Sequence, residues 1–189
     1  MKKTLAILVI FATLTVQAFA NNSASALSDI KNFRVNSPTL ASAGMPEEAQ
    51  FSVLKQQGFT HIINLIPGKF SAEEELTKTL GIDFKQIPIV WHQPTIEDFK
   101  VFVTTMNKYT AHTNSKANNK TNSVNKQPKV LVHCQLNYRA SAFVYLYQVT
   151  QLGMDPEQTQ QQLHTVWQPE GIWQHFIEEV IKHYKSTPA

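Results

Sequence analysis

Residues 129–152 constrain the fold more than any other part of the chain. Lys129 to His133 is a short β-branched run, and Ala140 to Leu152 is apolar nearly all round. A strand without polar alternation is buried on both faces, and a helix without a polar side belongs in a core. The segment therefore reads as a buried strand, a polar loop and a core helix that ends at Gly153.

The rest of the chain repeats that alternation. Phe33 to Val35 reads as a short strand. Pro46 suits a first helical position, and the helix that follows, PEEAQFSVLKQQ, stops at Gly58. Thr60 to Ile66 is a β-branched run closed by Pro67-Gly68, a buried strand. Ser71-x-x-Glu74 has the form of a capping box opening a helix that ends at Gly81. Ile82 to Val90 reads as a strand whose end Pro88 confines to an edge or an exit. Thr95-x-x-Asp98 resembles the cap of a third helix through about Thr110. Asp155-Pro156 caps another, and Ile172 to Tyr184 forms the last. Strands alternating with helices predict an α/β domain with a central, mostly parallel sheet and helices on both faces.

The chain has 189 residues, and its first twenty read as a signal peptide: Lys2-Lys3, an apolar run from Leu5 to Val16, and Ala18-Phe19-Ala20 as the cleavage site. As a helix that run rises about 18 Å, short of a ~30 Å hydrocarbon core. Cleavage after Ala20 predicts an exported, periplasmic protein with no stable membrane insertion; an uncleaved anchor is the alternative. Residues 21–32 read as a disordered lead, and residues 33–185 as one domain. Residues 111–128 are rich in Asn, Lys, Ser and Thr and read as a flexible insertion within it. The formal charge of +3 falls to +1 once the two signal lysines are removed, no footprint for nucleic acid. The seven histidines have no metal-ligand spacing, so neither a metal nor another cofactor is expected.

Cys134 is the only cysteine, so it cannot pair within its own chain. It is either an inert buried thiol or one kept for its chemistry. Its position favours chemistry. A loop between a strand and a helix N-terminus presents backbone N–H groups and the positive end of a dipole to an anion. The same features stabilise a thiolate, which is the nucleophilic form. Arg139 adds a guanidinium fork suited to phosphate oxygens. Ser141, just beyond it, could donate to the cysteine sulfur. Strand, Cys, Arg, Ser and helix form a coherent phosphoryl-transfer arrangement.

His133-Cys134, Arg139 and Ser141 resemble the signature of the cysteine-dependent protein tyrosine and dual-specificity phosphatases. The nearest likeness is to the bacterial phosphatase-like family also found fused to metallo-β-lactamase-like sulfur hydrolases. It extends over residues 33–152: Ser42 to Glu47 resembles that family's opening turn, Gly58 to Leu65 its first buried strand, and Gly81 to Ile89 the following one. The resemblance implies a protein tyrosine phosphatase-like fold, thiolate attack on a phosphomonoester and a cysteinyl-phosphate intermediate. Cys134 would be the nucleophile and Arg139 the phosphate clamp. Gln135, Leu136, Asn137 and Tyr138 would line the phosphate with them, His133 would orient the loop, and Ser141 would assist the departing thiolate.

Two features depart from the usual phosphatase pattern. Four residues, not five, separate Cys134 from Arg139, and the loop glycine is replaced, with Asn137 the residue best able to adopt positive φ in its stead. Where an aspartate acid is expected the sequence has Trp91-His92, and His92 is the candidate proton donor. Trp91, Trp167 and Trp173 read as core or pocket wall, Asn64 as a satisfier of loop backbone groups, and Glu73, Glu74 and Glu75 as a solvated helix start. Three functions stay open: a phosphatase acting on aryl or tyrosine phosphates of a small molecule or protein, a module that binds phosphate without turnover, and a persulfide-carrying sulfur-transfer enzyme.

Overall fold

A computed structural model describes residues 27–111 and 127–186. Five strands form one sheet: β1 (Arg34–Ser37), β2 (Leu40–Ala43), β3 (His61–Asn64), β4 (Asp83–Gln86) and β5 (Val130–His133). Six helices accompany it: α1 (Glu48–Gln56), α2 (Ser71–Thr79), α3 (Ile96–Ala111), α4 (Tyr138–Thr150), α5 (Pro156–His164) and α6 (Ile172–Ser186). The strand order is β1-β2-β5-β3-β4. Only β1 runs antiparallel to its neighbour, so the sheet is mostly parallel as expected.

β5 lies at the centre, and its side chains alternate between the two faces. Val130, Val132 and Cys134 face a core shared with α3, α4 and α6, whereas Leu131 joins Ile62, Phe51 and Leu54 on the side of α1. Helices thus cover both faces. Every residue of α4 from Ala140 to Gln148 is buried, which explains its lack of a polar side. The helix begins at Tyr138, two residues earlier than the hydrophobic pattern suggests, because Asn137 adopts a left-handed conformation (φ 70°) and acts as its N-cap.

Capping signals divide into those the structure uses and those it does not. Thr95 and Asp98 cap α3 reciprocally: the Asp98 amide donates to Thr95 Oγ1 at 3.1 Å and the Thr95 amide to Asp98 Oδ2 at 2.9 Å. Asp155 caps α5 by accepting from the Gln158 amide at 2.8 Å. The Ser71-x-x-Glu74 box does not form. Phe70 is the N-cap there, and its carbonyl receives the Glu74 amide directly. Pro46 precedes α1 without entering it, and Glu47 caps that helix in a reciprocal pair with Gln50.

β2 is the strand the sequence conceals. Leu40-Ala-Ser-Ala43 has no β-branched residue, yet all four positions are buried between β1 and β5, where small side chains let the neighbouring layers close in. β4 is short and ends at Gln86, ahead of Pro88, on the edge where proline is tolerated. Residues 27–32, expected to be disordered, are ordered: Leu27 and Ile30 are buried against Phe51 and Phe59, because two apolar residues three apart dock as one helical turn. The segment read as a signal peptide and nearly all of the segment read as an insertion lie outside the described residues. Among the described residues, no helix is long and apolar enough to cross a membrane.

Candidate active site

The site lies at the carboxyl ends of the parallel strands, where β5 passes through residues 134–137 into α4. Ligands bind at this edge of an open α/β sheet because the chain leaves each strand there and helix N-termini converge on it. Cys134 is the first residue of the loop, and its amide donates to the Ala43 carbonyl at 3.2 Å, fixing it to the end of β2. The side chain is 1% exposed, and Sγ has no hydrogen-bond partner among the described residues. The amides of Gln135, Tyr138 and Arg139 have no main-chain acceptor among the described residues. Two of them open α4 and are orphaned by helix geometry. Donors and the positive end of a thirteen-residue helix therefore meet beside the thiol.

The loop is clasped from below. Asn32 and Asn137 are the only non-glycine residues with positive φ among those described, at 52° and 70°. They bond to each other's segments: Asn32 Nδ2 donates to the Leu136 carbonyl at 3.0 Å, and Asn137 Nδ2 donates to the Asn32 carbonyl at 2.7 Å and to Ser42 Oγ at 3.2 Å. Gly44 completes the clasp. Its amide donates to the Lys31 carbonyl at 2.6 Å, and an added Cβ would sit 2.8 Å from Lys31 Cβ and 2.9 Å from that carbonyl. Asn137 thus supplies what glycine supplies, a left-handed turn, and adds side-chain bonds that glycine lacks. Asn137→Ala is expected to destabilise the protein by about 2–4 kcal/mol, combining left-handed strain with two lost hydrogen bonds. Asn137→Gly should cost about 1 kcal/mol less because it removes the strain. Urea unfolding of both variants measures the difference, and equal losses would contradict this account of the loop.

His133 ends β5 with its side chain on the face opposite Cys134. It is fully buried, and Nε2 lies 2.7 Å from Glu73 Oε1. The other carboxylate oxygen of Glu73 accepts from Asn64 Nδ2 at 2.8 Å, and Asn64 Oδ1 accepts from the Ile66 amide at 2.7 Å. Asn64 therefore satisfies a loop amide as anticipated. Glu73 does not belong to a solvated helix start; it is only 7% exposed, while Glu74 and Glu75 are exposed. The helical period places residue 73 on the face of α2 that carries Thr77, Leu76 and Leu80, a signal present in the sequence.

Arg139, the second residue of α4, lies with its Cζ 5.4 Å from the centre of the Trp91 ring. Its Nε is buried without a partner, and no carboxylate pairs with it among the described residues. An aromatic face, not an acid, holds the guanidinium, which leaves its donors for a ligand. Trp91 also packs against Tyr138, Trp167 and Trp173, at centroid distances of 6.3, 5.7 and 5.1 Å. Tyr138 stacks on Trp167 at 4.9 Å and 15°. Trp173 Nε1 donates to the Trp91 carbonyl at 3.1 Å, pinning the turn that carries Trp91 and His92. Trp173 is core, whereas Trp91 and Trp167 form a half-buried wall beside the loop.

The remaining expected participants are His92, Ser141, Gln135 and Leu136. His92 is exposed on that turn, next to Trp91 in sequence, with no hydrogen-bond partner among the described residues. Ser141 is buried, but its hydroxyl donates to the Tyr138 carbonyl at 3.1 Å and accepts from Trp167 Nε1 at 3.2 Å. It makes no hydrogen bond to Cys134, because one turn of helix directs it toward α5 and Trp167 instead. Gln135 and Leu136 are exposed at the loop tip. Among the described residues, no group of three His, Cys, Asp or Glu side chains could hold a metal ion.

No protein-family model matches the sequence, and no curated protein matches it. Solved structures do. The chain is similar to the "Putative phosphatase (DUF442)" of Shewanella putrefaciens CN-32, with a TM-score of 0.68 and 34% identity over 85% of this chain and 97% of that one. Its fold is also similar to that of P. aeruginosa TpbA, with a TM-score of 0.61 and 13% identity over 82% of this chain and 90% of that one. The core catalytic domain of the PP-IP phosphatase SIW14 from S. cerevisiae gives a TM-score of 0.59 and 17% identity over 83% of this chain and 92% of that one.

Proposed function

Because the chain belongs to the DUF442 family, whose fold is that of the cysteine-dependent tyrosine and dual-specificity phosphatases, we propose that it hydrolyses phosphomonoesters through Cys134 and that aryl phosphates are its substrates. The observation that carries this reading is the thiol at the mouth of α4, flanked by unpaired amides and an arginine with no acidic partner.

The Cys134 thiolate attacks phosphorus, forming the S–P bond as the ester P–O bond breaks and the leaving oxygen takes the electron pair. Loop amides and Arg139 hold the three remaining phosphoryl oxygens as charge spreads over them. Water then attacks phosphorus, the S–P bond breaks, and inorganic phosphate and the thiolate are released. The Trp91–Tyr138–Trp167 wall supports an aromatic leaving group, which can lie against these rings. The structure of TpbA in complex with phosphotyrosine is consistent with that class. His92, exposed on the turn that carries Trp91, is the proposed donor to the leaving oxygen, and its exposure makes it a weakly oriented acid.

Leaving-group dependence tests the reading. A positioned general acid contributes about 10²–10⁴-fold, so p-nitrophenyl phosphate should turn over at least about 100-fold faster than an alkyl phosphate, with vanadate inhibiting. Saturable phosphate binding without any turnover would favour the binding module, a reading supported by the engagement of the Ser141 hydroxyl away from Cys134. Turnover of thiosulfate and cyanide would favour sulfur transfer.

A further inference from the structure

We propose that Glu73 is a positioning residue for Cys134, acting through His133. The inference rests on the proposed reaction, and its structural basis is separate. β3 and β5 are parallel neighbours, and their register places Asn64 opposite His133 as the last residue of each strand. One carboxylate reaches both. Glu73 Oε1 lies 2.7 Å from His133 Nε2, and Oε2 accepts from Asn64 Nδ2 at 2.8 Å. The main chain repeats the tie, with the Leu65 amide donating to the His133 carbonyl at 2.9 Å. On the far side, Asn64 Oδ1 holds the Ile66 amide, and Gln86 Nε2 from β4 holds the Ile66 carbonyl at 2.7 Å. A single network thus crosses the carboxyl ends of β4, β3 and β5 and stops one residue short of the thiol.

The cost of burying a carboxylate is tolerated where its geometry does something that an apolar side chain could not do. Here it fixes the ring of His133, and with it the direction in which the chain leaves β5. Cys134 is the next residue, so rotation at His133 swings Sγ relative to the α4 amides. His133 Nδ1 is buried without a partner, so no second bond restrains the ring once Nε2 loses the carboxylate. The loop is otherwise held from the opposite side, by Ala43, Asn32 and Ser42.

Glutamine at position 73 can keep both contacts, accepting from Asn64 with its oxygen and donating to His133 with its nitrogen once the ring proton moves to Nδ1. Alanine keeps neither. Misplacement of a reacting group by about 1 Å costs on the order of 100-fold. Glu73→Ala is therefore expected to lower kcat for p-nitrophenyl phosphate by about 30- to 100-fold, with KM within about threefold of wild type, and Glu73→Gln to recover most of that loss. The alkylation rate of Cys134 by iodoacetamide should fall in Glu73→Ala, with inorganic phosphate protecting it less well, and recover in Glu73→Gln. That readout needs no turnover: a wild-type protein that hydrolyses no ester would end the phosphatase reading and leave this test intact. If alanine does not fold, a Glu73→Gln protein that folds with wild-type alkylation still carries the prediction. The proposal is overturned if folded Glu73→Ala matches wild type in kcat and alkylation, or if folded Glu73→Gln loses as much of both as alanine does.

Discussion

Cys134→Ser is expected to fold and to lose hydrolysis of p-nitrophenyl phosphate by at least about 10⁴-fold, the scale on which removal of a nucleophile acts. Fold retention follows from geometry. The side chain is 1% exposed and Sγ accepts or donates no hydrogen bond among the described residues, so serine fits the space. Burying its unpaired hydroxyl costs about 1–3 kcal/mol. Loss of activity follows from chemistry. A serine hydroxyl is not ionised near neutral pH, and among the described residues no base lies within hydrogen-bond reach of position 134 to take its proton. The amides of Gln135, Tyr138 and Arg139 remain, so phosphate binding should survive. Initial rates, circular dichroism and phosphate binding on one preparation check all three expectations. Activity within tenfold of wild type would remove Cys134 from the mechanism.

Arg139→Ala is expected to lower kcat/KM by about 10²–10³-fold, the usual loss when a donor to developing phosphoryl charge is removed. Both kcat and KM should respond, since a guanidinium binds the ground-state dianion as well as the transition state. Arg139→Lys should not restore activity. The Trp91 ring 5.4 Å from Cζ holds a flat, delocalised cation, and lysine offers neither the plane nor the two-pronged donor set. Steady-state kinetics of the two variants test this. Full rescue by lysine would reduce Arg139 to a point charge and the contact with Trp91 to packing.

Much of this was legible in the sequence, and the boundary of legibility is physical. The central strand, the core helix and the alternation around them were readable because burial on both faces leaves an apolar run. Asn137 was readable because few residues tolerate a left-handed backbone, and its φ of 70° bears that out. β2 was not readable: its Leu-Ala-Ser-Ala sequence is chosen for smallness between two strands, and smallness is no strand signal. Glu73 was misread because three consecutive glutamates look solvated, although the helical period alone separates the first from the other two. The resemblance assigns Ser141 to the departing thiolate, and the long-range contact of its hydroxyl with Trp167, 26 positions away, had no sequence signal. The clasp between Asn32 and Asn137 spans 105 positions, a separation over which composition and periodicity carry no information.

The most direct test of the central claim is capture of the intermediate. Wild-type protein is mixed with excess p-nitrophenyl phosphate, quenched in acid at times short of one turnover, digested, and searched by mass spectrometry for a phosphorylated peptide. The account predicts a phosphoryl adduct on Cys134, absent from Cys134→Ser, together with a burst of nitrophenol equal to the amount of adduct. Turnover with no adduct on Cys134 at any time, or with the phosphoryl group on another residue, would contradict it.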